Sequence, residues 1–293
     1  MAQVLAVPGA RRHGFDLKRS FSHDFGRITG IAVSNGNNVL LCDYIKNQLL
    51  LFDEEGNYLS YLPLTSSPWD VAISNQNIAF VTMPTEQFIL QVDPEKLCIC
   101  FKTVFGDPYA YISCVSSSKE QPDNNTYVGY TSKGRPNAAP ITEFYLNIKD
   151  SPYYYLSMQL CSQAAIKLHT VGRIKTNIKH YSCVSGQNHF AISTPGKTFQ
   201  MGVAHITSKI VKVEFPTLRV PSDICSDDYG HIYVSGQYSH NVHRLTEDDK
   251  IIDIPLSSQH GIKYPVAMCF NRNYTTFYIV NEWGRSVMVF NVI

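Results

Sequence analysis

The sequence predicts an all-β fold, a six-bladed β-propeller, and three observations carry that expectation. One phrase recurs along the chain: a strand with a small residue at its centre, a polar turn, a second strand, a short loop and a third strand. The copies recur about every 42 residues, the period of a propeller blade. The strong segments alternate with period two, and Gly, Asn, Asp and Pro punctuate them about every 8–12 residues, which disfavours helices.

Taken in order, the clearest copy is GIAVSNGNNVLLCDYIKNQLLLFDEEGNYL, from Gly30. DVAISNQNIAFVTMPTEQFILQVDPEKLCI follows from Asp70. Weaker copies begin near Ile112 and Ser182, and strong ones return at Asp223 (DICSDDYGHIYVSGQYSHNVHRLTEDDKII) and Val266 (VAMCFNRNYTTFYIVNEWGRSVMVFNVI). Alignment places Ala32, Ala72, Cys114, Cys183, Cys225 and Cys269 in one column, at intervals of 40, 42, 69, 42 and 44 residues. The long interval reads as one blade with an insertion over about 119–175. The last copy stops after its third strand, and the strand-like FDLKRSFSHDF (Phe15 to Phe25) stands unused before the first. Pairing the two closes the ring and removes an open sheet edge. Residues 1–14 are then a tail and 15–293 a single propeller.

Composition bounds the function. The chain has 293 residues, 44% hydrophobic and 17% charged, with a net charge of +1, which excludes uniform basicity for wrapping nucleic acid. No apolar run reaches the roughly 18 residues of a membrane span. In MAQVLAVPGARRHG the basic pair follows a short apolar stretch, the reverse of a secretory signal. An intracellular, cytoplasmic chain with reduced thiols is expected, its column of cysteines filling a narrow inner strand as small hydrophobes. Cys98 and Cys100 share one face of a strand and lack the Cys-x-x-Cys spacing of zinc or redox sites. The triplets at Asn124 and Asn273 fit glycosylation acceptors, which require secretion and are discounted.

Tests for an enzyme return little. Gly196-Lys197-Thr198 resembles the tail of a phosphate loop, but Ala191 stands where the first glycine is needed. His240 and His243 are three apart, on opposite faces of a strand, and read as surface or loop histidines rather than a metal pair. Asp43, Asp70, Asp223, Asn281 and Glu282 fall at loop positions where a ring of metal ligands around the channel could form, or where acids cap turns. The position of Asp43 is taken in other copies by Thr82 or Gly236, so no ligand repeats. No catalytic constellation emerges, and no cofactor or metal is expected.

The loops joining second to third strands, with those linking blade to blade, form one face. They carry both tryptophans, Trp69 and Trp283, and Tyr44, Tyr109, Tyr111, Tyr238 and Tyr264. Basic residues (Lys46, Lys133, Arg135, Lys197, Arg219, Lys263, Arg285) and acids (Asp43, Asp70, Glu86, Asp107, Asp223, Glu282) interleave there. Loop aromatics are what binding hot spots use, and the near-balance of charge suits a protein partner at least as well as a polyanion. Trp69, following Pro68, reads as packing under its own loop.

The phrases TGIAVSNGNNVLLCDYIKNQLLLFDEEGNYL, SPWDVAI, YVSGQYSHNVHRL and GIKYPVAMCFNRNYTTFYIVNEWGRSVMVFNV resemble the NHL-repeat propeller of tripartite-motif (TRIM) proteins, most of all the expanded invertebrate group. The resemblance covers about Phe15 to Ile293 and is specific in the first two and last two blades. It implies the recognition module of a ubiquitin ligase, or a free-standing relative, in a chain carrying no RING finger or coiled coil of its own. The expectation is therefore a non-catalytic, monomeric propeller that binds a protein or peptide and no membrane. The residues expected to bind are Tyr44, Lys46, Arg135, Lys197, Tyr238, Trp283 and Arg285, on one loop face. RNA binding by the same basic and aromatic residues is the alternative, followed by a metal-dependent hydrolase or lyase in the channel.

Overall fold

The computed structural model describes residues 12–74, 76–104, 217–245 and 251–293, together with six strands between 110 and 203. The chain opens with β1 (Phe15–Phe21). A first sheet is a meander of β2 (Ile28–Val33), β3 (Val39–Asp43), β4 (Gln48–Phe52) and β5 (Tyr58–Pro63). A second follows with β6 (Val71–Ile73), β7 (Ala79–Met83), β8 (Phe88–Asp93) and β9 (Cys98–Val104), and a third with β10 (Ala110–Ser117), β11 (Asn125–Ser132), β12 (Glu143–Asn147) and β13 (Tyr154–Leu156). β14 (His189–Ile192) and β15 (Gln200–Val203) form a two-stranded sheet. A fifth sheet has β16 (Pro221–Ser226), β17 (Ile232–Gly236), β18 (Asn241–Leu245) and β19 (Ile251–Leu256). The sixth joins β20 (Ala267–Phe270), β21 (Thr276–Asn281) and β22 (Ser286–Val292) to β1, in the order β1-β22-β21-β20.

The innermost strands lie side by side in the sequence β16, β20, β2, β6, β10. Sheets that meet through their first strands and fan outward are the arrangement of a β-propeller. The cores lie between the sheets. Ala32, Leu40, Leu49 and Leu51 of the first sheet meet Val71, Ala79, Val81 and Leu90 of the second. Ile31, Leu41 and Phe52 meet Cys269, Tyr278 and Val289 of the sixth, and Cys225, Tyr233 and Val242 of the fifth meet Met268, Phe277 and Phe290. Each middle strand is covered on both faces, so β3 (VLLCD) and β7 (AFVTM) are buried along their whole length. A sheet sandwiched twice reads as a continuous apolar run rather than a clean alternation, and each buried Leu contributes about 1.5–3 kcal/mol. The inner column follows the expected packing: Ala32, Ala72, Cys225 and Cys269 are buried, while Cys114 and Cys183 lie outside the residues whose side chains are described. Among the described residues the one helical element is a 3-10 turn at Ser258–His260, and no helix is long and apolar enough to cross a membrane.

β1 pairs antiparallel with β22 from Phe15↔Val292 to Phe21↔Val287, with a bulge between Leu17 and Arg19. The pairing extends to Gly14, which exchanges main-chain hydrogen bonds with Ile293 at 2.7 and 3.1 Å. The end of the N-terminal tail is therefore anchored. Arg244 donates to the carbonyl of His13 and grips Asp253 with two hydrogen bonds of 2.8 and 2.5 Å. The His13 ring bonds Asp228 at 2.7 Å and stacks on Tyr229. Beneath it, Asp227 is fully buried. Burial opposes its ionisation, but hydrogen bonds from His231 and Tyr233 outweigh that cost and hold it below the usual carboxylate range. In the third sheet, β11 to β13 fall inside the stretch expected to be an insertion.

Candidate binding face

The second and third strands of four sheets are joined by four-residue turns of one length, closed by the pairs Asp43↔Gln48, Met83↔Phe88, Gly236↔Asn241 and Asn281↔Ser286. This register aligns Asp43 with Met83, Gly236 and Asn281, a step away from the Thr82 alignment expected from sequence. The second residue of each turn is then Ile45, Thr85, Tyr238 and Trp283. Three of these are large and exposed, at 62% for Ile45, 46% for Tyr238 and 36% for Trp283. One column of the repeat thus lifts apolar side chains off the loop face.

The turn at 282–285 differs in hand from the others. In the turns at 44–47, 84–87 and 237–240 only the last residue has positive φ (Asn47 52°, Gln87 60°, His240 54°). At 282–285 the first three do: Glu282 53°, Trp283 61° and Gly284 90°. Holding Glu282 and Trp283 in the left-handed region costs about 1–2 kcal/mol each. The turn is fixed by its neighbours: the Ile28 amide donates to the Gly284 carbonyl at 3.0 Å, and a Cβ on Gly284 would come within 2.4 Å of the Ile28 carbonyl oxygen. Tyr264, which leads into the sixth sheet, also has positive φ, 44°. Backbone strain of this kind concentrates at functional sites.

The rings form a ledge. Tyr264 and Trp283 stack at 4.8 Å, Tyr238 stands edge-on to both at 5.9 and 5.4 Å, and His240 stands edge-on to Tyr264 at 4.3 Å. The Tyr264 amide donates to Nδ1 of His240, which orients that ring. Beside the ledge lies a cleft of about 440 Å³, open to solvent, lined by Ser20, Ser22, Glu282, Arg285, Ser286 and Met288 among others.

The acids of this face are structural. Asp43 is fully buried and accepts from the amides of Gly26, Arg27 and Lys46, which ties the strand leading into the first sheet to its own turn. Asn281 does the same for the sixth sheet, accepting from the Lys263 amide and donating to the Gly261 carbonyl. Asp223, also fully buried, accepts from the Ile224 amide at 2.8 Å and from the Met268 amide of the next sheet at 2.6 Å. Asp70 holds the Val71 amide, and its main chain is braced by Thr82. These groups hold protein amides. Among the described residues no three His, Cys, Asp or Glu side chains come together as a metal-holding group.

The expected binding residues divide into three sets. Tyr238, Trp283 and Arg285 come together on the ledge and its cleft, with Tyr264 and His240 beside them. Tyr44 is half-buried and stands edge-on to Trp69 at 5.5 Å, and Lys46 is ion-paired to Asp24 at 2.6 Å, so both have intramolecular partners. Arg135 and Lys197 lie outside the described residues. Trp69 is itself half-buried, its ring against Tyr44 of the neighbouring turn. His243 departs from the surface position expected of it: it is buried on β18, bonds Thr217 at 2.8 Å, and burial pushes its pKa down to about 4. Sequence reasoning passed over Ile45, although aligning the turns residue by residue would have put it in the column of Tyr238 and Trp283.

No protein-family model matches the sequence, and no curated protein matches it. Solved structures do. Virginiamycin B lyase from Staphylococcus aureus is similar over 95% of this chain and 100% of its own, with TM-score 0.62 and 12% identity. A gluconolactonase from Xanthomonas campestris is similar over 96% of this chain and 94% of its own, with TM-score 0.64 and 12% identity. A protein of unknown function from Bacteroides thetaiotaomicron is similar over 95% of this chain and 72% of its own, with TM-score 0.66 and 12% identity. At this identity the likeness is one of fold, a β-propeller.

Proposed function

We propose that the chain is a recognition module: a six-bladed, NHL-type propeller, with β14 and β15 belonging to its fourth blade, that binds a protein or peptide on the loop face of its fifth, sixth and first blades. The observation that carries this reading is the Trp283 turn. A tryptophan held in left-handed backbone, stacked on a second strained aromatic and still 36% exposed, has the character of a rigid hot-spot anchor. The buried, amide-bound acids of the same face support a non-catalytic role. The test is quantitative recovery of proteins from cell extract on immobilised wild-type chain, Trp283→Ala and Arg272→Ala, the last on the turn between β20 and β21. Proteins held by wild type and Arg272→Ala but released by Trp283→Ala support the proposal; identical recovery on all three refutes it.

A second reading is favoured by the lyase and gluconolactonase likenesses: an enzyme acting at the mouth of the channel. It predicts turnover of a gluconolactone, or of quinupristin, which accompanies a catalytically inactive form of the S. aureus lyase. Metal-dependent turnover of either, hydrolysis of the lactone or eliminative opening of quinupristin, by the purified chain would displace the recognition reading.

A further inference from the structure

The loop face buries three of its acids and leaves most of its cations at the surface, which bears on the chemistry of a partner. In sequence its acids and bases nearly balance. In the fold, Asp43, Asp70 and Asp223 are withdrawn to full burial. Lys46 is neutralised by Asp24. Of the exposed acids described there, Glu86 accepts from the Thr65 hydroxyl and Glu282, which lines the cleft, from that of Ser286; these bonds orient the two carboxylates without neutralising them. Four cations stand against these two. Arg27, Arg219, Lys263 and Arg285 have no carboxylate within ion-pair distance among the described residues. Two of them recur at one structural place and a third lies one residue away: the carbonyls of Arg27 and Lys263 accept from the amides of the first turn residues Tyr44 and Glu282, and that of Arg219 from the second turn residue Tyr238, where the chain leading into each sheet crosses its turn. They therefore border the column of Ile45, Tyr238 and Trp283, while Arg285 stands in the cleft next to it.

From this juxtaposition we infer that the face binds an acidic peptide segment, one apolar side chain of which lies on the Trp283–Tyr238 ledge while a carboxylate enters the cleft toward Arg285. The inference rests on the recognition reading and deepens it. Guanidinium and ammonium groups without an ion-pair partner among the described residues, three of them exposed (Arg219, Lys263 and Arg285), around an apolar anchor provide what a carboxylate-rich chain requires: charge-assisted hydrogen bonds at the rim and desolvated contact at the centre. A peptide fits better than RNA because the rings are already stacked and edge-packed on one another. The third exposed member of the column, Ile45, is aliphatic and offers no ring on which a base could stack.

The test uses the full chain and four labelled probes: randomised peptide pools rich in Asp and Glu, in Lys and Arg, and in neutral residues, and a mixed single-stranded RNA pool. Each is titrated by fluorescence anisotropy at low and physiological salt. The expected result is saturable binding of the acidic pool alone, weakened at least tenfold by Arg285→Glu and by Trp283→Ala and retained by Trp283→Phe. Circular dichroism and thermal melts confirm that each variant is folded. Trp283-dependent binding of the neutral or basic pool at equal strength would overturn the acidic inference and leave the recognition reading standing. RNA binding that exceeds the acidic pool and falls with Arg285→Glu would overturn the inference in favour of nucleic acid. Absence of saturable binding by every pool would overturn both.

Discussion

Asp223 distinguishes a structural acid from a chemical one, and its removal has a calculable consequence. Asp223→Ala takes away the acceptors of two buried main-chain N–H groups, Ile224 at 2.8 Å and Met268 at 2.6 Å. The Ser235 contacts use only the backbone of residue 223 and survive. A buried donor left without a partner costs about 1–3 kcal/mol, so the pair amounts to about 4 kcal/mol. For a chain of this size that corresponds to roughly 6 °C in Tm. Asp223→Asn keeps one acceptor oxygen but turns an amide NH2 toward the other donor, and should lose about half as much. Urea denaturation followed by circular dichroism should show the midpoint falling with little change in slope, since the surface exposed on unfolding is the same. If Asp223→Ala lay within about 0.5 kcal/mol of wild type, Asp223 would not be clamping the fifth sheet to the sixth. The case against an acid ring in the channel would then lose its best-defined member.

Three further outcomes follow from the same geometry. Gly284→Ala places a Cβ against the Ile28 backbone at a positive φ and should cost about 3 kcal/mol in urea denaturation, whereas Gly261→Ala, whose Cβ would meet only the Met288 terminal methyl at 3.2 Å, should cost less. His243 is driven from 6.5 to about 4 by burial, so the unfolded chain binds the extra proton. Its contribution is complete above pH 6.5 and is lost as pH falls toward 4, about 3 kcal/mol in all; the urea midpoints of wild type and His243→Gln at pH 7 and pH 4.5 should therefore converge as acid is added. A thiol reagent under native conditions should modify the exposed Cys98 and Cys100 rapidly, and Cys42, Cys225 and Cys269 only on unfolding.

The blade phrase, the small-residue column and the use of Phe15–Phe21 to complete the last sheet were legible because each is a matter of periodicity, and packing between sheets imposes that periodicity on every copy. The functional face was legible only by residue type. Nothing in Asp43 or Asp223 distinguishes an acid aimed at solvent from one folded back on main-chain amides; that depends on where Arg27 and Met268 arrive from other strands. Lys46 looked free because its partner, Asp24, lies in the segment before the first copy. His243 was grouped with His240 by spacing, although one ends a turn and the other sits inside β18. The hand of the Trp283 turn was hidden as well: the glycine that permits it, Gly284, comes after the two residues that bear the strain.

The antiparallel seam between β1 and β22 also dictates an order of events during synthesis. β1 finds its partner only when the residues around Val287–Val292 have emerged, so it stays unpaired while the sheets between them are made. Until then the sixth sheet lacks its outer strand, the cleft wall formed by Ser20 and Ser22 is absent, and the ledge stands beside an incomplete site. A ribosome-stalled or C-terminally clipped chain would thus have most of its sheets and an unfinished binding face.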